Sequence, residues 1–143
     1  MRRCFNIVTE AKEELSKGFY YFYKPHPGFQ EDQALWESKG IKVIYEPLDQ
    51  ILQDFDVIIS GNSTSASLEA YLQGLDVVIL LDGSNFNLSP LRNEKGVKFA
   101  TSKDVLVDYF LDFKPSRFNT ETNKEFFYLD SKIPKWIDLI KRP

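Results

Sequence analysis

Residues 56–81 read DVIISGNSTSASLEAYLQGLDVVILL and indicate the fold class more clearly than any other part of the chain. Residues 56–60 (DVIIS) and 76–81 (DVVILL) are short apolar runs, typical of strands buried on both faces. Between them, residues 63–73 have a helical pattern, and Gly74 is a natural helix stop because glycine tolerates the left-handed conformation. A strand, a helix and a second strand in this order predict a βαβ unit with parallel strands.

The same alternation of apolar runs and amphipathic stretches extends over most of the chain. Further strands are predicted at 4–9, 19–24, 41–45 and 97–100, and further helices at 10–17, 31–38, 47–55, 102–111 and 133–141. The pattern predicts an α/β fold, a Rossmann-like doubly wound parallel sheet in three α/β/α layers. We expect one domain over residues 1–143, with a core at about 4–111 and a C-terminal extension at 112–143 that ends in the terminal helix.

Composition excludes several classes of protein. The 143 residues carry a net charge of −3, which gives no general attraction to nucleic acid, so any phosphate needs a local site. No apolar run approaches the roughly 20 residues of a membrane span, although peripheral membrane association stays open. A single cysteine, Cys4, forms no internal disulfide and fits a cytoplasmic location. One His and one Cys do not make a usual zinc site, and no dinucleotide or Walker motif is present, so no metal or cofactor is predicted.

In open parallel sheets, ligands bind at the carboxyl ends of the strands, so the loops there hold the candidate site. The first such loop, residues 24–28, reads KPHPG. The two prolines stiffen the backbone around His26, the only histidine, and Lys24 supplies a positive charge beside it. A stiff, positive pair suits a phosphate because little side-chain entropy is lost on binding. The alternative is a rigid surface turn.

The second loop is rich in hydroxyl groups. Gly61 permits close approach of a ligand, and Asn62 follows it. Ser63, Thr64 and Ser65 come next and open the predicted helix. Free N–H groups and small hydroxyls at a helix start are suited to an anion, and an ordinary N-cap needs only one such residue. These five residues are therefore predicted phosphate ligands, with simple helix capping as the alternative.

Two further candidates are weaker. Glu69 lies four residues past Ser65, on the same predicted helix face, and its apolar neighbours suggest partial shielding. A carboxylate there is able to accept hydrogen bonds from a ribose diol; the alternative is a solvated glutamate. The loop at 82–96 (DGSNFNLSPLRNEKG) contains Asn85, Asn87 and Arg92 as possible sugar or base contacts, unless it is simply a long polar connection.

Together, KPHPG and the following SGNSTSASLEAYLQGLDVVILLDG resemble the C-terminal domain of two-Rossmann-domain (GT-B) glycosyltransferases. The first element resembles the HP motif of bacterial sialyltransferases, Kdo transferases and glycerophosphotransferases. The hydroxyl run resembles the S motif of the same enzymes. That resemblance implies that both motifs hold the phosphate of a CMP- or CDP-linked donor. Residues 61–74 also resemble the donor site of the lipid-linked GlcNAc transferase of peptidoglycan synthesis and of UDP-GlcNAc 2-epimerases, in which a glutamate matching Glu69 binds the ribose.

The resemblance implies the nucleotide-sugar-binding half of a glycosyltransferase in surface polysaccharide biosynthesis. GT-B enzymes also have an N-terminal Rossmann-like domain that binds the acceptor, so we expect that domain in the same chain or in a partner and predict that residues 1–143 alone are inactive. The alternatives are a 2-epimerase-like half and a non-catalytic binding or assembly module. All nucleotide assignments assume that the histidine turn and the hydroxyl-rich helix start face each other and hold one anion between them.

Overall fold

A computed structural model of the protein describes residues 2–15, 18–28, 32–83, 86–115 and 134–141. The helices, in chain order, are α1 (Arg2–Leu15), α2 (Gln33–Ser38), α3 (Leu48–Ile51, continued by a 3-10 turn at Leu52–Asp54), α4 (Ala66–Leu72), α5 (Lys103–Leu111) and α6 (Pro134–Lys141). The strands are β1 (Phe22–Tyr23), β2 (Lys42–Val43), β3 (Val57–Gly61), β4 (Asp76–Leu80) and β5 (Lys98–Ala100).

All the described strand pairs are parallel, which confirms the α/β class. The strands form two sheets, β1–β2 and β3–β4–β5, whereas the sequence predicts one continuous doubly wound sheet. The aromatic strand predicted at 19–24 is reduced to two residues. Beyond it, Pro25 and Pro27 have no N–H groups with which to extend the ladder. An edge-to-face contact between Phe22 and Phe55, with ring centroids 5.2 Å apart, links the first sheet to the segment that enters β3.

The first predicted strand is wrong: residues 4–9 belong to α1, which also contains most of the helix predicted at 10–17. A six-residue apolar run fits either a strand or a buried helix, and only a longer window separates the two. Ile7 and Ala11, four residues apart, are both buried, as the helical period requires. The hydroxyl of Thr9 donates to the carbonyl of Phe5, 3.0 Å away, one turn back along the helix.

Helices cover both faces of the three-stranded sheet. Side chains of β4 alternate between two buried clusters, as the two-residue period of a strand dictates. Val78 and Leu80 pack in one cluster with residues of α1 and α5. Val77 and Ile79 pack in the other, with residues of α4 and of the 3-10 turn. The central strand is therefore buried on both sides, as the run DVVILL predicts.

Trp36 of α2 connects the two-stranded sheet to α1. Its ring stacks on Tyr23 of β1, with centroids 3.8 Å apart and nearly parallel planes. Phe5 of α1 meets the same ring edge-on at 4.6 Å. Since Trp36 is buried, we expect this aromatic group to stabilise the contact between α1 and the two-stranded sheet more than the exposed ion pair between Lys39 and Glu13 does.

The later elements follow the sequence closely. Ser102 caps α5, and its hydroxyl accepts from the N–H of Val105 at 3.4 Å. The predicted last strand and terminal helix are present as β5 and α6. Most of the predicted C-terminal extension, residues 116–133, lies outside the described residues. Among the described helices, none has the length and apolar character needed to cross a membrane.

Candidate functional site

The loops after β3 and β4 begin at the same edge of the three-stranded sheet. The two strands run parallel in a register that pairs Gly61 with Leu80, so both chains leave the sheet at one level. The side-chain amide of Asn62 then donates to the carbonyl of Phe86, 3.0 Å away, and ties the first loop to the second. This bond places two of the predicted binding loops in direct contact.

Within the hydroxyl run, the three residues have different roles. Helix α4 begins at Ala66, three residues later than predicted, and Thr64 satisfies its first N–H: the Thr64 hydroxyl accepts from Ala66 at 3.2 Å. The buried Ser67 hydroxyl donates to the Thr64 carbonyl at 3.1 Å. Ser65 occupies the cap position with no side-chain bond to the helix. Thr64 is therefore the residue whose hydroxyl caps α4. Ser63 and Ser65 are exposed.

The histidine turn follows β1. The N–H of Gly28 donates to Nδ1 of His26 at 3.0 Å. A neutral imidazole that accepts at Nδ1 carries its proton on Nε2, so Nε2 is the atom that would donate to a phosphate. A Cβ at position 28 would lie 3.3 Å from Nδ1, so a side chain there would need a small shift of the imidazole. His26 is exposed, on a backbone held by Pro25 and Pro27.

Lys24 lies near an acid. Backbone N–H groups of Glu46 and Tyr45 hold the pKa of the Glu46 carboxyl below its usual value, and the charges of Lys42 and Lys24 lower it further. The histidine turn belongs to the β1–β2 sheet and the hydroxyl run to the β3–β5 sheet. Their convergence on one anion stays a prediction.

Glu69 is exposed on α4, not shielded as its apolar neighbours suggested. Its N–H donates to the carbonyl of Ser65 at 3.0 Å, so the two residues are one helical turn apart, as their spacing predicts. A ribose role for this carboxylate stays a prediction.

In the loop after β4, two predicted contact residues also build the loop itself. Asn87 accepts from the N–H of Ser89 at 3.0 Å, and the buried Ser89 hydroxyl accepts from Leu91 at 3.1 Å. The Arg92 guanidinium is exposed and reaches the Ser89 carbonyl at 3.5 Å. Asn85 lies outside the described residues. The oxygen of Asn87 is therefore used in a turn, whereas Arg92 keeps most of its donors for other partners.

The structure also shows neighbours of this loop that the sequence analysis missed. Phe86 lies in this loop, its carbonyl accepts the bond from Asn62, and its side chain is 89% exposed. Arg3 of α1 lies beside Gly83: a Cβ on that glycine would sit 3.5 Å from the guanidinium. Only the tertiary fold places Arg3 near a residue 80 positions later, so no local signal predicts it. Asp82, next to Gly83, is close enough to influence Cys4 of α1.

The pH dependence of Cys4 alkylation tests this placement of α1. Burial raises the pKa of the thiol, the carboxylate of Asp82 adds to the rise, and the charge of Arg3 partly opposes it. Because thiolate is the nucleophile, we expect the iodoacetamide rate of the native protein to reach half its plateau at a higher pH than in urea. The Asp82→Asn variant should lower the pH at which the alkylation rate of the native protein reaches half its plateau. The control Asp112→Asn, at an exposed site after α5, should leave that pH unchanged. Equal midpoints in native protein and urea would contradict the arrangement.

Within the described residues, no group of three or more His, Cys, Asp and Glu side chains is placed to hold a metal ion. Comparisons of the chain with protein-family models, curated proteins and solved structures found no match. Any functional assignment therefore depends on the two loop motifs and on the local geometry described above.

Proposed function

We propose that the chain binds a nucleotide sugar through its phosphate groups at the edge where β3 and β4 end. The observation that carries the proposal is the Asn62–Phe86 hydrogen bond, which joins the loops after two adjacent parallel strands. Beside that bond, the exposed hydroxyls of Ser63 and Ser65 are not used to cap α4. Hydroxyl donors on a loop fixed in this way suit phosphate oxygens, which accept strong hydrogen bonds.

The remaining candidates take complementary roles in this proposal. His26 donates from Nε2, and Lys24 offsets negative charge as the nucleotide departs; charge stabilisation of this kind is usually the largest catalytic contribution. Glu69 accepts from the ribose, and Arg92 and Asn85 contact the sugar or base. Phe86 adds an exposed ring on which a base can stack.

The motif resemblance extends the proposal to an enzyme class: the donor-binding half of a glycosyltransferase in surface polysaccharide biosynthesis. The acceptor and the catalytic base would then come from a second Rossmann-like domain. A 2-epimerase-like half would share Glu69 but prefer UDP to CMP, so base preference separates these two assignments.

A titration monitored by NMR amide shifts tests the proposal. We expect CMP, CDP or UDP at millimolar concentration to shift the amides of residues 61–65. The double variant Ser63→Ala/Ser65→Ala should weaken binding by about a hundredfold or more, since hydrogen bonds to charged groups contribute roughly 1.5–3 kcal/mol each and two are lost. Thr64 still caps α4 in this variant, so the fold should be retained.

The matched control is Ser38→Ala, which removes an exposed hydroxyl at the end of α2 and should leave affinity unchanged. Absence of shifts at residues 61–65 with all three nucleotides would refute the phosphate site. Equal binding by the parent and the double variant would place the nucleotide elsewhere on the protein.

A further inference from the structure

The C-terminal helix α6 exposes apolar side chains that the proposed nucleotide site does not use. Ile137 and Ile140, three residues apart on α6, are both exposed, and Ile140 is 78% exposed. Residues three apart lie on the same side of a helix. Asp138 and Lys141 are exposed as well, so this short helix combines exposed apolar and charged groups.

The charge of this segment is opposite to that of the protein. Residues 131–143 contain four cations, Lys132, Lys135, Lys141 and Arg142, against one acid, Asp138. The segment therefore has a net charge of +3, although the whole chain carries −3. Its sequence also includes Trp136, a residue type enriched at membrane–water interfaces.

We propose that α6 is an interfacial helix, with Ile137 and Ile140 entering the surface of a membrane that contains anionic lipids. Basic residues combined with Trp and aliphatic side chains are characteristic of helices that lie in the plane of a bilayer surface. The positive segment complements a negatively charged lipid surface, to which the acidic remainder of the chain is not attracted. A protein partner for the same face is the competing possibility.

Vesicle co-sedimentation of the full chain tests the proposal. We expect binding to phosphatidylcholine vesicles that contain phosphatidylglycerol, and little binding to phosphatidylcholine alone. High salt should weaken the binding, because it screens attraction between exposed charges. The variant Ile137→Ser/Ile140→Ser should lower the bound fraction at least fivefold, and Lys135→Glu/Lys141→Glu should lower it roughly tenfold or more.

Leu111→Ser is the matched control, because this apolar residue is 72% exposed but lies on α5. Its bound fraction should equal that of the parent. The proposal is overturned if the parent stays in the supernatant, binds neutral and anionic vesicles equally, or binds as well after the isoleucine changes. It is also overturned if the isoleucine changes abolish self-association, measured by sedimentation velocity, but leave vesicle binding unchanged. The exposed face of α6 would then bind a second copy of the protein and not a membrane. The lysine variant provides an independent readout if the isoleucine variant does not fold.

Discussion

Replacing Trp36 with alanine should lower the free energy of unfolding by about 3–5 kcal/mol, the largest effect we expect from a single substitution in this chain. The indole is buried, stacks on Tyr23 at 3.8 Å and receives the edge of Phe5 at 4.6 Å. Its removal leaves a cavity where α1, α2 and β1 meet. Urea unfolding followed by far-UV circular dichroism measures the loss, because the remaining Trp136 complicates fluorescence.

Two variants make this result specific. Leu35→Ala changes the neighbouring residue on α2, which is about half exposed, and should cost less than about 1 kcal/mol. Trp36→Phe keeps an aromatic ring in the stack and should recover most of the stability. Similar losses for Trp36→Ala and Leu35→Ala would mean that the aromatic group does not pack as described.

The Trp36→Ala experiment also tests the prediction of a single domain. If the β1–β2 sheet and the β3–β5 sheet unfold as one unit, the whole transition moves to lower urea and stays single. If the two sheets unfold independently, only part of the helical signal should shift. The second result would contradict the predicted single domain.

Leu106→Ala should lower the free energy of unfolding by about 2–5 kcal/mol. Leu106 is 1% exposed and belongs to the cluster that joins α5 to α1 and to β4. The substitution loses the free energy gained by burying the side chain and leaves a cavity in the packing around it. The loss of stability depends on how far the neighbouring side chains relax into that cavity. Thermal unfolding gives an independent measure, with a melting temperature lower by roughly 10 °C.

Leu111 provides the comparison on the same helix. It is 72% exposed, and Leu111→Ala should change the free energy of unfolding by no more than about 0.5 kcal/mol. Both substitutions remove the same atoms from α5, so the main difference between the two positions is the burial of the side chain. Equal effects at the two positions would contradict the packing of α5 against α1 and β4.

The sequence predicted the candidate loops better than it predicted the geometry between them. Turn and capping residues reveal themselves locally, so the stiff histidine turn and the hydroxyl run were found from residue types alone. The sequence did not predict which hydroxyl of that run would cap α4. Thr64 makes the capping bond, and Ser63 and Ser65 do not. Three similar hydroxyls compete for one N–H, and the backbone path decides which one reaches it.

By itself, the sequence determined the α/β class, the strands β3, β4 and β5 and the capped helix α5, because continuous apolar runs and cap residues leave few local alternatives. Tertiary structure decided that residues 4–9 are helical, since their burial against α5 and β4 favours the period of a helix over that of a strand. It also decided that Asn62 bonds Phe86 and that Arg3 lies beside Gly83. These contacts join residues far apart in the chain, and such proximity depends on the packing of whole elements and leaves no trace in local sequence pattern.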